Sequence, residues 1–354
     1  MNKICILFGG RSSEHKDSVD SFQNLFERIV EQRDGLGYEL ASVIYIDTQN
    51  VVHLSEGNYS WRVEDYLIKG TVVDLFEALN FVKRNDHFLF STLFSQNGED
   101  GRMQGLCRML EIESNLGDPL QPSICLSKYH LNQYVQGTVE NVLIPETLRV
   151  SSLTEVQDVF NRFEGSEVVI KPNALGSSIL TDKLVLTKEN LALVCDMIEK
   201  ILVHDTYALV QAYISGVEYT CGVMENNGEV ETLPLGKVTT ARNFFGFPEK
   251  NDAALNSKSI VNAEDSIVLQ KLERASRNLF LDLDLKNIAR FDYIVRGDEI
   301  YFLECNQFPS LHRYSFFMMM LKHRGMTIPE VVEIVIRNEK TRKVKEPLFD
   351  GYAK

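Results

Sequence analysis

Two short β-rich stretches, ARFDYIV (289–295) and EIYFLECN (299–306), carry an Arg, an Asp, a Glu and an Asn among residues otherwise suited to a core. They flank RGD, where Gly297 supplies the unusual backbone angle of a tight hairpin turn. A three-residue turn of Gly297, Asp298 and Glu299 pairs Arg296 with Ile300, and counting outward sets Asp292 opposite Glu304 and Arg290 opposite Asn306. Side chains alternate along a strand. Arg290, Asp292, Glu304 and Asn306 therefore share one face, and Phe291, Tyr293, Val295, Tyr301, Leu303 and Cys305 share the apolar one. Facing carboxylates are unfavourable unless something positive lies between them, and hard oxygen donors at this spacing suit a divalent ion. Mg2+ fits best, because it accepts one or two protein carboxylates and completes its shell with water and phosphate oxygens. A solvent-facing hairpin with scattered charges is the plainer alternative; the coincidence of two carboxylates, an amide and an Arg in one register favours the metal.

A second stretch could handle phosphate. The β-branched run Val168-Val169-Ile170 ends in Lys171-Pro172 and crosses NALGSSIL into another apolar segment. No Walker string occurs in the chain. Even so, a Gly followed by Ser177 and Ser178 can aim backbone N–H and hydroxyl groups at phosphate oxygens, with Lys171 as a point charge. A hairpin loop with an incidental Lys serves equally well as a description.

The elements that must position these residues follow from pattern and totals. The 354 residues, 44% of them hydrophobic, can bury a sizeable core and point to two or three domains. KICILF (3–8), YELASVIYI (38–46) and HFLFSTLF (87–94) are strand-like and alternate with helical patterns, which implies a parallel α/β sheet over residues 1–124. Ligands gather at the strand C-terminal ends of such sheets. That places GGRSSEH and SQNGEDG at one rim, although both could be simple tight turns. A second unit runs over 125–213, and a third, richer in strand pairs, over 214–354. A net charge of −13 argues against a nucleic-acid backbone binder. Six scattered cysteines with no CxxC pair point to reduced, buried thiols in a cytoplasm, and no apolar run is long enough to span a membrane.

Eight motifs in order, GGRSSEHKDS, GEDGRMQG, SKYH, VIKPNALGSS, QAYISGVE, FGFPEKN, RFDY and ECNQFPSLHRYS, resemble the ATP-grasp superfamily and, within it, the D-alanine-D-alanine ligase family. The resemblance spans essentially the whole chain. It implies a three-domain ATP-grasp fold with an N-terminal Rossmann-like domain, and α+β character toward the C-terminus. It also implies an ADP-forming ligase that joins two amino acids through an acyl phosphate, in peptidoglycan synthesis for the cell wall, and a cytoplasmic homodimer. A relative joining other amino acids and a non-catalytic nucleotide-binding protein of the same fold are the alternatives.

The same resemblance implies roles for individual residues. Asp292, Glu304 and Asn306 hold two Mg2+ ions, or Mn2+ in their place, against the phosphates of ATP. Lys128, Lys171, Ser177 and Ser178 grip those phosphates, Gln211, Ala212, Tyr213 and Ile214 bind ATP, the first two on its adenine side, and Glu218 meets the ribose. Lys250 reaches in from a lid formed by TTARNFFGFPEKNDAALNSK. Arg290 and the N–H of Ser310 stabilise the oxyanion. Glu14, with Ser18 nearby, takes the first substrate's ammonium and Ser315 the second substrate's carboxylate; helix capping is the structural alternative for Glu14 and Ser18. This chain departs from the family pattern at Phe94 for a usual His, Asn251 for a Tyr, Ser310 for a Gly, Gln211 for the adenine-side Glu and Ala212 for a Lys. Such changes shift selectivity more than chemistry.

Overall fold

The computed structural model describes residues 1–240, 246 and 256–342. Lys250, Asn251 and most of the lid expected over 239–258 lie outside the described residues.

Fifteen described strands form three sheets. The first contains β1 (Asn2–Gly9), β2 (Tyr38–Ile46), β3 (Val52–Glu56), β4 (Thr71–Val73) and β5 (Phe88–Ser91), in the order β4-β3-β2-β1-β5. Its β2-β1-β5 core is parallel, as the alternation with helices requires, and β3 and β4 extend it antiparallel. The second is antiparallel: β6 (Thr147–Val150), β9 (Ala208–Ala212), β7 (Glu167–Pro172) and β8 (Asp182–Val185). The third runs β13-β12-β10-β14-β15, from β10 (Val217–Asn226), β12 (Leu235–Thr240), β13 (Asn256–Val261), β14 (Ile288–Arg296) and β15 (Glu299–Asn306), with β11 (Glu229–Thr232) on β10.

Packing ties the sheets together. Helix Lys128–Thr138 lays Leu131 and Val135 into the core of the third sheet, against Phe291, Phe302 and Cys305 among others. Helix Ile328–Thr341 returns to the first sheet, where Val331, Val332 and Val335 join Phe8, Phe22 and Leu25. The loop after β15 is fastened to helix His15–Gln32: Asn24 Nδ2 donates to Leu311 O at 2.7 Å, and Leu311 N to Ser21 Oγ at 3.1 Å. Residues far apart in sequence thus meet at one rim. All six cysteines are free, five of them buried, and burial pushes the thiols of Cys5, Cys107 and Cys221 up to about 12.

The β14–β15 hairpin differs from expectation in one instructive respect. Arg296 pairs with Glu299, not Ile300, so the turn holds only Gly297 and Asp298. Gly297 has φ +59°, as a tight turn of this kind needs. A β-bulge then inserts Leu303: Tyr293 pairs with Phe302, while Asp292 pairs with Glu304. The shorter turn and the bulge cancel, and both predicted cross-strand pairs, Asp292 with Glu304 and Arg290 with Asn306, are observed. The core face is corrected beyond the bulge. Ile300 and Phe302 are buried in the apolar cluster with Tyr293, whereas Leu303 turns to a cavity wall and Tyr301 bonds Arg296 and Glu299 through its hydroxyl.

This assignment is testable by stability. Phe302→Ala should cost about 3–5 kcal/mol in urea unfolding, and Leu303→Ala less than half as much. The opposite ranking would remove the bulge.

Candidate active site

Asp292 and Glu304, from the charged face of the hairpin, line a cavity of about 280 Å³ between the second and third sheets, and Arg290 and Asn306 stand behind them outside its lining. Asp292 is its fixed point. Arg290 grips the carboxylate with two bonds, Nε to Oδ1 at 3.0 Å and a terminal nitrogen to Oδ2 at 2.8 Å. Asn306 Nδ2 donates to Oδ2 at 3.1 Å, and the Thr220 hydroxyl, from β10, donates to Oδ1. Burial works against the Arg290 charge, but Asp292, with Glu304 and Glu218, outweighs it and raises the guanidinium pKa. Across the ribbon, Glu304 lies 3.4 Å from Lys128 Nζ.

This donor set fits a divalent cation. Two carboxylates and an amide share one face, and because Asn306 turns its nitrogen to Asp292, its oxygen is the atom left to meet a cation. Removing one partner of a buried ion pair costs about 3–5 kcal/mol. Arg290 is therefore also a structural necessity.

The phosphate-handling candidates converge on the same cavity. Lys128, at the first turn of its helix, donates to Leu175 O at 3.0 Å as well as meeting Glu304. Lys171, at the end of β7, and Gly176, Ser177 and Ser178 line the wall facing them. Ser177 and Ser178 both take left-handed backbone angles, φ +53° and +55°, at a cost of about 1–3 kcal/mol each. Ser177 Oγ donates to Glu14 Oε1 at 2.9 Å, with Asp17 Oδ2 at 3.2 Å. A Cβ on Gly176 would fall 2.3 Å from the Glu14 carboxylate, so a larger residue there would push that carboxylate aside. Gln211, Ala212, Tyr213, Ile214 and Glu218 line the remaining wall, and Lys183 lies 4.1 Å over the Tyr213 ring.

The remaining candidates are placed differently. Ser18 is fully buried and committed to backbone, accepting from Gly9 N at 2.8 Å and donating to Thr92 O at 2.7 Å. It clamps the loops after β1 and β5 together. Phe94 packs with Leu93, Met103 and Phe308. Ser315 caps helix Phe316–Arg324 by accepting from Met318 N at 3.2 Å, and Ser310 Oγ lies 3.2 Å from Ser21 Oγ.

Three residues join the cluster that sequence reasoning did not single out. Asp17 follows Glu14 in EHKD, a helical spacing that could have revealed it. Thr220 carries no sequence signal, because its role depends on pairing with Asp292. Glu99, in GEDG, accepts from Ser95 N at 2.6 Å. Its carboxyl is pushed up to about 8 by desolvation and by Glu14, against the pull of the Ser95 N–H, Lys128 and Arg290.

Comparison with known proteins gives matching results. The family model described as D-ala D-ala ligase C-terminus matches residues 142–337, and the one described as D-ala D-ala ligase N-terminus matches residues 3–114. The chain is similar to a D-alanine-D-alanine ligase of Porphyromonas gingivalis, 25% identical over 343 residues, covering 95% of this chain and 97% of that protein. Its counterpart from Phocaeicola vulgatus is 28% identical, with 95% and 98% covered. In fold it resembles the VanG D-Ala:D-Ser ligase of Enterococcus faecalis, TM-score 0.76 at 21% identity, over 96% of this chain and 99% of that one.

The raised Glu99 carboxyl sets a pH dependence. A folded pKa of about 8 against an ordinary 4.5 means that the stability contributed by the protonated group is complete below 4.5 and is lost as pH rises to about 8. Glu99→Gln should therefore gain on wild type in unfolding free energy across that window, measured by urea titration at several pH values. Parallel pH profiles would show that Glu99 ionises normally.

Proposed function

This chain belongs to the D-alanine-D-alanine ligase family, and from that premise we infer that it joins two molecules of D-alanine with conversion of ATP to ADP and phosphate. It is an ATP-dependent ligase that forms a peptide bond, and the dipeptide serves the cell wall, as the family implies. The observation that carries the residue-level reading is the hairpin face, where Asp292 and Glu304 stand opposite each other in a cavity that Lys128 and Lys171 also line.

The reaction asks the protein to position reactants, offset charge and exclude water. The carboxylate of the first amino acid attacks the γ-phosphate, the bond to ADP breaks, and the amine of the second then displaces phosphate from the acyl carbon. Lys128 and Lys171 draw the phosphates onto the cavity wall. Ser177 and Ser178 close over them on a loop already seated against Glu14. Glu14 takes the first ammonium, a charge-assisted contact. Arg290, oriented by Asp292, offers its remaining donors to the oxyanion together with the N–H of Ser310. Asp292, Glu304 and the Asn306 oxygen would hold Mg2+, or Mn2+, which supplies charge neutralisation on the phosphates when bound.

On this reading Ser18 and Phe94 bear on the first amino acid, and Ser315, at the start of its helix, meets the carboxylate of the second. We propose three units, 1–124, 125–213 and 214–354, each built on one sheet; helix Lys128–Thr138, at the start of the second, packs on the core of the third sheet. A cytoplasmic homodimer is the assembly we propose. Among the described residues no helix is long and apolar enough to cross a membrane.

Glu304→Gln preserves shape and removes one carboxylate. With D-alanine, ATP and Mg2+, wild type should release phosphate and the variant should lose at least about a hundredfold in kcat. Unchanged turnover would dismiss the hairpin as the catalytic centre, and release with other amino acids but not D-alanine would assign a different substrate.

A further inference from the structure

We propose that Thr147 is a positioning residue that makes the cavity select a purine with a 6-amino group, by locking the Gln211 amide with its oxygen toward the base. The proposal rests on the nucleotide occupying this cavity. Thr147 and Gln211 are paired across β6 and β9. Gln211 Nε2 lies 2.8 Å from Thr147 Oγ1, and Thr147 Oγ1 lies 2.8 Å from Pro145 O. A carbonyl oxygen can only accept, so the Thr147 hydroxyl proton is committed to Pro145. The hydroxyl therefore offers Gln211 a lone pair, and only the amide nitrogen can satisfy it. The orientation of the amide follows from this chain of donors.

The oxygen Oε1 is then the polar atom that Gln211 leaves to the cavity. Gln211 is only 3% exposed and shares its sheet face with its partner Val169 and with Lys171, all three lining the cavity. Pro145 and Ile214 belong to the same lining. Val169, Pro145 and Ile214 offer apolar surface to a flat base, and the fixed acceptor beside them suits one that presents a donor. Adenine offers its N6 amine. Hypoxanthine, with an oxygen at that position, sets two acceptors against each other and leaves both unpaired, a mismatch worth roughly ten- to a hundredfold. The Gln in place of the family's Glu thereby works with a hydroxyl that a carboxylate could not address in the same way.

The test is phosphate release by the full chain with D-alanine and Mg2+, comparing kcat/KM for ATP and ITP. Wild type should prefer ATP by roughly ten- to a hundredfold. Thr147→Val keeps the shape and removes the hydroxyl, freeing the amide to turn its nitrogen to the base. Its ATP/ITP ratio should fall toward unity through a lower KM for ITP, and Thr147→Ser should restore the wild-type ratio. A purely structural role for Thr147 would lower both activities in proportion and leave the ratio intact, which would overturn the proposal. So would a wild type indifferent between ATP and ITP, a result that needs no variant to fold and leaves the ligase reading standing. Absence of turnover with every nucleotide would overturn both.

Discussion

The structure depends on holding two carboxylates face to face across a β-ribbon. Asp292 and Glu304 are directly opposed, an arrangement that neighbouring strands normally avoid. It is tolerated because each acid has its own partners. Arg290, Asn306 and Thr220 surround Asp292, while Lys128 reaches Glu304 from a helix whose apolar side is buried under the same hairpin. The cations that stabilise the ribbon are the ones a phosphate chain would engage. Structural and catalytic demands therefore fall on the same side chains.

The second constraint is convergence. Glu14 and Asp17 come from the first sheet's rim, Ser177 from the second sheet's loop and the acids from the third. What brings them within reach is fastening away from the chemistry: Ser18 clamping two loops, Asn24 and Ser21 holding Leu311, and the C-terminal helix buried against β1 and the first helix. Gly176 permits the closest of these approaches. The strain at Ser177 and Ser178 is of the kind that persists where surrounding structure over-determines a functional loop.

Much of this was legible in the sequence. A β-rich apolar run marked β2 at its observed limits, and the hairpin's polar face was found by counting. The count succeeded because two errors cancelled, a turn one residue too long and a bulge at Leu303 that no local pattern announces. Only Tyr301 and Leu303 exposed the mismatch, by leaving the core face that simple alternation assigned them. Motif order pointed to Lys128, Lys171 and Glu14 individually. Alternation and motif order do not give distances, so Ser18 as a clamp, Thr220 beside Asp292 and Glu99 beside Glu14 emerged only from the fold. The antiparallel β3 and β4 were missed for a related reason: both are short, and each is specified by its neighbour more than by its own residues.

The most direct measurement is a crystal structure grown with Mn2+ and a non-hydrolysable ATP analogue, with anomalous data collected to locate the metal. The expected result is anomalous density within about 2.5 Å of oxygens of Asp292, Glu304 and Asn306, shared with the analogue's phosphates. A seated triphosphate with metal density away from those three side chains, or with none at all, would contradict the assignment of this hairpin as the metal-holding centre.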